Sequence, residues 1–118
     1  MKIERHNDRG FLSDVVAYGD LIWISGIVSQ PKITTIEEQT HDVLKEIDRR
    51  LALAGSSRDN LLSVSVWLAH IEDWGVVNAI WRDWLADAPA PARAVVESRL
   101  LSPYLIEIAA TACRNSPA

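Results

Sequence analysis

Cysteine is nearly absent from this sequence. Cys113 is the single cysteine among 118 residues, and one cysteine cannot form an internal disulfide. Histidine is also scarce, because His6, His41 and His70 stand far apart and in no spacing that is typical of a zinc site. The sequence therefore predicts a fold without a disulfide framework, and it gives no reason to expect a bound metal.

Long apolar runs and concentrated basic charge are missing as well. The longest apolar runs, such as residues 21–24, are far shorter than the roughly 20 residues that cross a membrane. The amino terminus, MKIERHNDRGF, has charges where a secretory signal needs its apolar region. The net charge is −4, so the chain lacks the excess of basic residues that is typical of nucleic-acid-binding proteins. We expect a cytosolic protein with one domain over residues 1–118.

The first half of the chain contains strand patterns followed by a helix pattern. MKIERH opens as a short strand, and two further apolar runs meet at Gly19-Asp20, a turn-forming pair that predicts a hairpin. Thr35 and Glu38 have the spacing of a capping box. Apolar residues then recur at spacings of three, four and seven, and Gly55 follows as a stop signal. The spacing predicts a helix from about 36 to 54.

The second half continues the alternation of strands and helices. NLLSVSVWLAHI has the pattern of a strand with one buried face, with Val64, Val66 and Leu68 opposed to Ser63, Ser65 and Trp67. DWGVVNAIWRDWLAD returns to helical spacing, with apolar residues along one side at Trp74, Val77, Trp81 and Trp84. RAVVES and LIEIAATAC then predict two strands that are separated by RLLSPY.

The order of these elements predicts an α+β fold built on a mixed six-stranded sheet. The opening hairpin is antiparallel, whereas the two strand-helix-strand passages predict parallel crossovers. Both helices should cover one face of the sheet. The strands are also apolar on their other side, with Trp23, Trp67 and Val95 as examples. We therefore expect the second face to be buried by oligomerisation.

Two charged residues interrupt the apolar final strands. Arg93 follows APAP, where prolines stiffen the entry to the strand, and its planar guanidinium can bind a carboxylate through two parallel hydrogen bonds. Glu107, between two isoleucines, can serve as a base, a water anchor or an ion-pair partner. A simple hairpin about Ser102-Pro103 would place Glu107 near Ser98 rather than near Arg93. Spacing alone leaves a structural ion pair, a solvated edge charge and a functional site open.

The stretch PAR, followed by VVESRLL and then IEI, resembles the carboxyl-terminal signature of the RidA (YjgF-type) family of enamine and imine deaminases. LIWISG at 21–26 is similar to the family's strand ending in Ser-Gly, and VNAIW at 77–81 is similar to its second-helix motif. The resemblance extends over nearly the whole chain. It implies a chorismate-mutase-like α+β fold, a homotrimer whose sheets line a central barrel, and clefts between adjacent subunits.

The resemblance also implies roles for individual residues. Arg93 is expected to bind the carboxylate of a 2-imino or 2-enamino acid, and Glu107 to help place the attacking water. The products would be a 2-keto acid and ammonia, so that a reactive metabolite is removed. Ser25 and Asn78 match positions that line or support the cleft, and the backbone carbonyl of Val95 is expected to hold the water or the imine nitrogen. No metal or organic cofactor is implied.

Three positions depart from the family's pattern. Leu12 stands where many members carry a tyrosine, Ile27 where a glutamine often follows Ser-Gly, and Val95 where a cysteine is common. The resemblance therefore implies a cleft that is more apolar than usual. The segment between Leu101 and Ile106 is also shorter than the common spacing, as in a short subgroup of the family.

Two functions other than deamination remain open from the sequence. The same fold can act as a regulatory protein that binds a small carboxylate through Arg93 without turnover. Some relatives have been linked to RNA cleavage, but the acidic composition, the lack of a His/Lys acid-base pair and the lack of an aromatic stacking platform disfavour it.

Overall fold

This computed structural model describes residues 1–115. The described chain contains six strands and two helices, in the order that the sequence predicts. The strands are β1 (Ile3–Asp8), β2 (Ser13–Tyr18), β3 (Leu21–Ile27), β4 (Leu61–Leu68), β5 (Ala92–Glu97) and β6 (Ile106–Cys113). The helices are α1 (Ile36–Leu53) and α2 (Trp74–Leu85). Short 3₁₀ turns at Arg58–Asn60 and Ile71–Asp73 precede β4 and α2.

All six strands form one sheet in the order β1-β2-β3-β6-β4-β5. β4 and β5 are parallel, and every other neighbouring pair is antiparallel. Because β3 and β4 both run antiparallel to β6, they are parallel to each other, so both strand-helix-strand passages join parallel strands as predicted. β6 pairs with β3 and β4 rather than with β5, so the last two strands do not form a hairpin.

Helix α1 begins and ends where its sequence signals predict. The Thr35 side chain accepts a hydrogen bond from the Glu38 backbone N–H at 3.2 Å, which satisfies one of the free donors of the first turn. The helix ends at Leu53, and Gly55 follows with a φ of +79°. This left-handed conformation is accessible to glycine without strain.

Both helices pack on the same face of the sheet, because their buried residues and those of the inner strands form one apolar cluster. On the sheet, every second residue of β6 is buried, and the predicted face of β4 is buried as well. The helices contribute Val43, Leu44, Ile47 and Leu51 from α1, and Val77, Trp81 and Leu85 from α2. Each fully buried side chain of this size stabilises the fold by roughly 1.5–3 kcal/mol.

The opposite face of the sheet, here called the open face, has no helix packed on it. Trp23 is 43% exposed there, and it lies in register with Thr111 and Ser63 of the neighbouring strands. Trp67 lies on the same face. The expectation that Val95 also belongs to this face is wrong: Val95 pairs with Val66 and packs against the helix-covered core, since the register of β5 on β4 sets its side.

No helix within residues 1–115 has both the length and the apolar composition needed to cross a membrane.

Candidate active site

Arg93 lies on the edge strand β5, where α2 packs beside it. Its Nη1 donates to the Asn78 side-chain oxygen at 3.1 Å. The guanidinium carbon lies 4.7 Å from the ring centroid of Trp74 and 5.4 Å from that of Trp81. A cation over aromatic faces is held by their quadrupoles, so an amide and two indole rings orient this guanidinium.

No carboxylate of residues 1–115 lies within ion-pair distance of Arg93. Partial burial lowers the pKa of the Arg93 guanidinium from its usual value, as expected when a cation loses water without gaining a counter-charge. Arginine nevertheless stays protonated in proteins. Arg93 is therefore a fixed cation that remains able to bind an anion.

A groove of about 410 Å³ opens in front of this guanidinium. It lies between α2 and the entry to β5. Two of its lining residues are arginines and none is acidic, in a chain whose net charge is −4. The lining residues are Asn78, Trp81, Arg82, Leu85, Ala90, Pro91 and Arg93.

The backbone of Val95 lies on the free edge of the sheet. The Ser98 N–H donates to the Leu68 carbonyl oxygen at 2.8 Å. In a parallel pair, residues that bond to the partner strand alternate with residues whose backbone groups point away from it. Residues 94 and 96 therefore face β4, and the carbonyl of Val95 points outward, beside Arg93. This geometry is compatible with the role that the family resemblance implies for that carbonyl.

Glu107 lies on β6 and on the open face, where it pairs in register with Trp67. The side chain is half-buried and forms no ion pair or hydrogen bond with another residue of the described chain. Its carboxylate lies directly against the backbone of Gly26, so a Cβ added to Gly26 would collide with it. A register shift in β3 between Ile24 and Ile27 brings Gly26 into this position.

Ser25 and Leu12 lie at the same end of the sheet as Gly26. The Ser25 hydroxyl donates to the Ser13 carbonyl oxygen at 2.5 Å, which ties β3 to the hairpin of β1 and β2. Leu12, next to Ser13, is 39% exposed. Ile27 is only 2% exposed and belongs to the apolar core of the chain.

Arg93 and Glu107 lie on opposite faces of the sheet within one chain. Val64 is in register with Arg93 on one side and with Ala110 on the other. Trp67 is in register with Glu107. Because side chains alternate along a strand, residues 64 and 67 point to opposite faces, and their partners do too. A structural ion pair between Arg93 and Glu107 is therefore excluded within one copy.

The predicted site residues thus form two groups, which we call half-sites. The arginine half-site consists of Asn78, Arg93 and the Val95 backbone. The glutamate half-site consists of the predicted residues Leu12, Ser25 and Glu107, together with Gly26, which the sequence analysis did not name as a site residue. The sequence did not identify the two tryptophans under Arg93 as site residues, because their helical spacing also fits core packing. Trp74 lies four residues before Asn78 and Trp81 lies three residues after it, so all three side chains share one face of the helix.

A buried ionic network, which the sequence reading missed, lies behind the glutamate half-site. Asp14 is 1% exposed and accepts from Arg9 at 2.9 Å and from Asn7 at 2.6 Å. The hydrogen bond from Arg9 is the largest of the effects that lower the pKa of Asp14 to about 2. Arg50, 7% exposed, bonds Glu46 at 2.8 Å and reaches the Ser25 carbonyl oxygen at 3.5 Å.

Metal-ligating side chains do not converge in the described chain: residues 1–115 contain no group of three or more His, Cys, Asp or Glu side chains that could hold an ion. The donor groups that the two half-sites offer are a guanidinium, an amide, a carboxylate and backbone carbonyls. These groups can bind an organic anion and position a water molecule.

Comparison with known proteins shows the same arrangement of chain over nearly its whole length. A family model described as endoribonuclease L-PSP matches residues 4–114. A RutC family protein of Haemophilus ducreyi is 35% identical over 104 residues, which are 87% of this chain and 89% of the relative. The RutC family protein YoaB of Escherichia coli is 30% identical over 109 residues, 92% of this chain and 95% of the relative. A crystal structure of a YjgF family member from Neisseria meningitidis superposes with a TM-score of 0.94 at 36% identity, covering 99% and 98% of the two chains.

Proposed function

The chain belongs to the RidA (YjgF) family, and from this premise we propose that it hydrolyses reactive 2-imino and 2-enamino acids to 2-keto acids and ammonia in the cytoplasm. One observation carries the proposal. Arg93 is a guanidinium fixed by Asn78 and two indole rings, with no carboxylate partner in residues 1–115. Such a group is suited to binding the carboxylate of a small substrate.

We propose that the working site forms between two copies of the chain. The open face carries Trp23 and Trp67, whose burial favours association. Glu107 lies on this same face, whereas Arg93 lies at the edge strand β5. A cyclic homotrimer that buries the open faces brings the glutamate half-site of one copy against the arginine half-site of the next.

The chemistry needs orientation more than a strong nucleophile. A protonated imine carbon is already electrophilic, so a positioned water can add to it. Glu107 accepts a proton from the attacking water and returns it to the nitrogen of the tetrahedral adduct. Glu107 then accepts the hydroxyl proton of the adduct as the carbon–nitrogen bond breaks, so that the water oxygen becomes the keto oxygen and ammonia leaves. That proton converts the released ammonia to ammonium. Arg93 holds the substrate carboxylate throughout, and the Val95 carbonyl accepts from the water or from the imine nitrogen.

Imine hydrolysis tests this proposal directly. Freshly generated 2-imino acids, made with an amino-acid oxidase, are added to the protein, and ammonia or keto-acid release is timed against spontaneous hydrolysis. Arg93→Ala is expected to lower kcat/KM on the order of 100-fold, because the lost hydrogen bonds are charge-assisted. Arg49→Ala removes an exposed guanidinium that pairs with Glu46 on α1, and it should leave the rate unchanged.

The outcome also separates deamination from the other candidates. Saturable keto-acid binding that depends on Arg93, without acceleration of hydrolysis, would favour a regulatory protein that binds small carboxylates. RNA cleavage has less support, although the family model is described as an endoribonuclease. The groove in front of Arg93 is lined by neither histidine nor lysine, the side chains that general acid-base cleavage of RNA would use.

A further inference from the structure

We propose that the site selects substrates with a second anionic group, and that Arg82 binds this group. The inference rests on the proposed function and specifies its substrate class: 2-imino acids that carry a second carboxylate on their side chain. The observation behind it is the pair of arginines, Arg82 and Arg93, that line one groove without any acidic residue in its lining.

Arg82 has no carboxylate partner within residues 1–115. Most arginines of the described chain do have one: Arg9, Arg49, Arg50, Arg58 and Arg114 each form an ion pair with an aspartate or a glutamate. The other four arginines, Arg5, Arg82, Arg93 and Arg99, form no ion pair within residues 1–115. Of these four, Arg82 and Arg93 line one groove together. Two neighbouring cations without counter-charges repel each other, and an anion that binds between them offsets this repulsion.

The position of Arg82 on α2 fits recognition of one ligand together with Arg93. Asn78 bonds the Arg93 guanidinium, and Arg82 lies four residues further along α2. Residues four apart on a helix have Cβ atoms about 5–6 Å apart on the same face. A carboxylate held by Arg93 beside Asn78 therefore lies about one helical turn from Arg82. This spacing fits a dicarboxylate with a backbone of roughly four to five carbons.

The chemistry of the bound substrate is unchanged by this second contact. Water adds to the imine carbon, ammonium leaves, and the second carboxylate stays intact on the keto-acid product. Arg82 is thus a specificity residue rather than a group that touches the reacting atoms. Trp81 directly precedes Arg82 on α2 and lines the same groove, so it can pack against the carbon chain that joins the two carboxylates.

Binding of keto acids tests the inference without requiring turnover. Titration calorimetry compares 2-oxoglutarate, which has two carboxylates, with 2-oxobutyrate, which has one. Wild type should bind 2-oxoglutarate at least about tenfold more tightly. Arg82→Gln should abolish this difference and leave the 2-oxobutyrate Kd within about twofold. Arg82→Lys should restore part of it, because the charge is kept and the planar fork is lost. Arg49→Gln is the matched control.

Rate measurements separate a failure of this inference from a failure of the proposed function. The imines of aspartate and of leucine, generated by suitable oxidases, serve as substrates. The inference is supported if Arg82→Gln lowers kcat/KM for the aspartate imine and leaves kcat/KM for the leucine imine unchanged. If wild type hydrolyses both imines equally and Arg82→Gln changes neither, the inference is wrong and the deaminase function stands. If neither imine is hydrolysed but 2-oxoglutarate binding still depends on Arg82, the function is wrong and the selectivity stands.

Discussion

At the scale of single residues, the site depends on which charged side chains have partners within the chain. Asp14 and Arg50 are buried and form an ion pair with each other at 3.6 Å, and each also bonds a second charged side chain, Arg9 and Glu46 respectively. Arg93 is instead held by an amide and two aromatic rings, and Glu107 rests against a glycine. Placing a charged group without a counter-charge costs stability. Because Arg93 is exposed and Glu107 is half-buried, this cost is small, and we propose that a substrate and a water supply the missing interactions.

Gly26→Ala is expected to displace the Glu107 carboxylate without unfolding the protein. The added Cβ collides with the end of a flexible side chain, which can rotate away. Gly26 does not have a positive φ, so alanine is accommodated by the backbone. We expect kcat/KM for imine hydrolysis to fall on the order of tenfold to 100-fold, similar to Glu107→Gln, with a loss of stability below about 1 kcal/mol.

Gly75→Ala provides the control for this experiment. Gly75 lies in the first turn of α2, and no atom would lie within 4 Å of an added Cβ. The substitution should stabilise the protein by up to about 1 kcal/mol, because alanine favours the helix, and it should leave activity unchanged. Full activity in Gly26→Ala would mean that the position of the Glu107 carboxylate is not required for turnover.

The sequence identified Arg93 and Glu107 because each is a charge within an otherwise apolar strand. It did not predict the side of Val95 correctly. The side of a strand residue depends on its register with the next strand and on bulges such as the one between Ile24 and Ile27. Neither property is encoded in the residue pattern of one strand.

At the scale of secondary-structure elements, the Asp14 network fixes the hairpin of β1 and β2 to α1. Arg9 and Asn7, from the hairpin, bond the Asp14 carboxylate. Arg50, from α1, bonds Glu46 and reaches the Ser25 carbonyl oxygen. The network therefore supports the end of the sheet that carries Leu12 and Glu107. We expect its loss to weaken both stability and the glutamate half-site.

Asp14→Asn is expected to lower the free energy of unfolding by about 1 kcal/mol at pH 7, a value that allows for solvent screening of the half-exposed Arg9. The pKa of Asp14 is lowered from 3.8 to about 2 in the folded chain. Its contribution is therefore present above pH 3.8 and is lost as the pH falls through 2. Urea unfolding of both proteins between pH 7 and pH 2 should show the difference shrinking toward zero.

Asp20→Asn is the control for the pH series, because Asp20 is exposed in the turn between β2 and β3. Its unfolding free energy should follow that of wild type at every pH. A difference between Asp14→Asn and wild type that stayed constant down to pH 2 would show that the Asp14 charge does not stabilise the fold.

Local signals were sufficient to predict the elements, but not how they pair. The capping threonine and Gly55 gave the limits of α1 within one residue, and the turn at Gly19-Asp20 gave the first hairpin. The insertion of β6 between β3 and β4 depends on contacts between residues distant in sequence. Such pairing is decided by the packing of whole strands, which no short motif records.

At the scale of the whole molecule, one chain carries two incomplete half-sites and an uncovered sheet face. These two features have one explanation. In the proposed homotrimer, association through the open face would bury Trp23 and would supply each glutamate half-site with an arginine half-site from a neighbour. The sequence predicted the uncovered face from its apolar residues, and the resemblance implied clefts between subunits. The opposite placement of Arg93 and Glu107 gives the physical reason why a cleft within one copy cannot work.

The central claim is that each active site combines residues of two copies, and mixed oligomers test it most directly. Arg93→Ala and Glu107→Gln chains are co-expressed with different tags, and oligomers that carry both tags are purified. In a cyclic trimer containing both variants, one of the three sites has both residues intact, so we expect about one third of the wild-type imine hydrolysis rate. Oligomers of either variant alone should keep only about one tenth to one hundredth of the wild-type rate. Mixed oligomers no more active than the single variants would contradict a shared site.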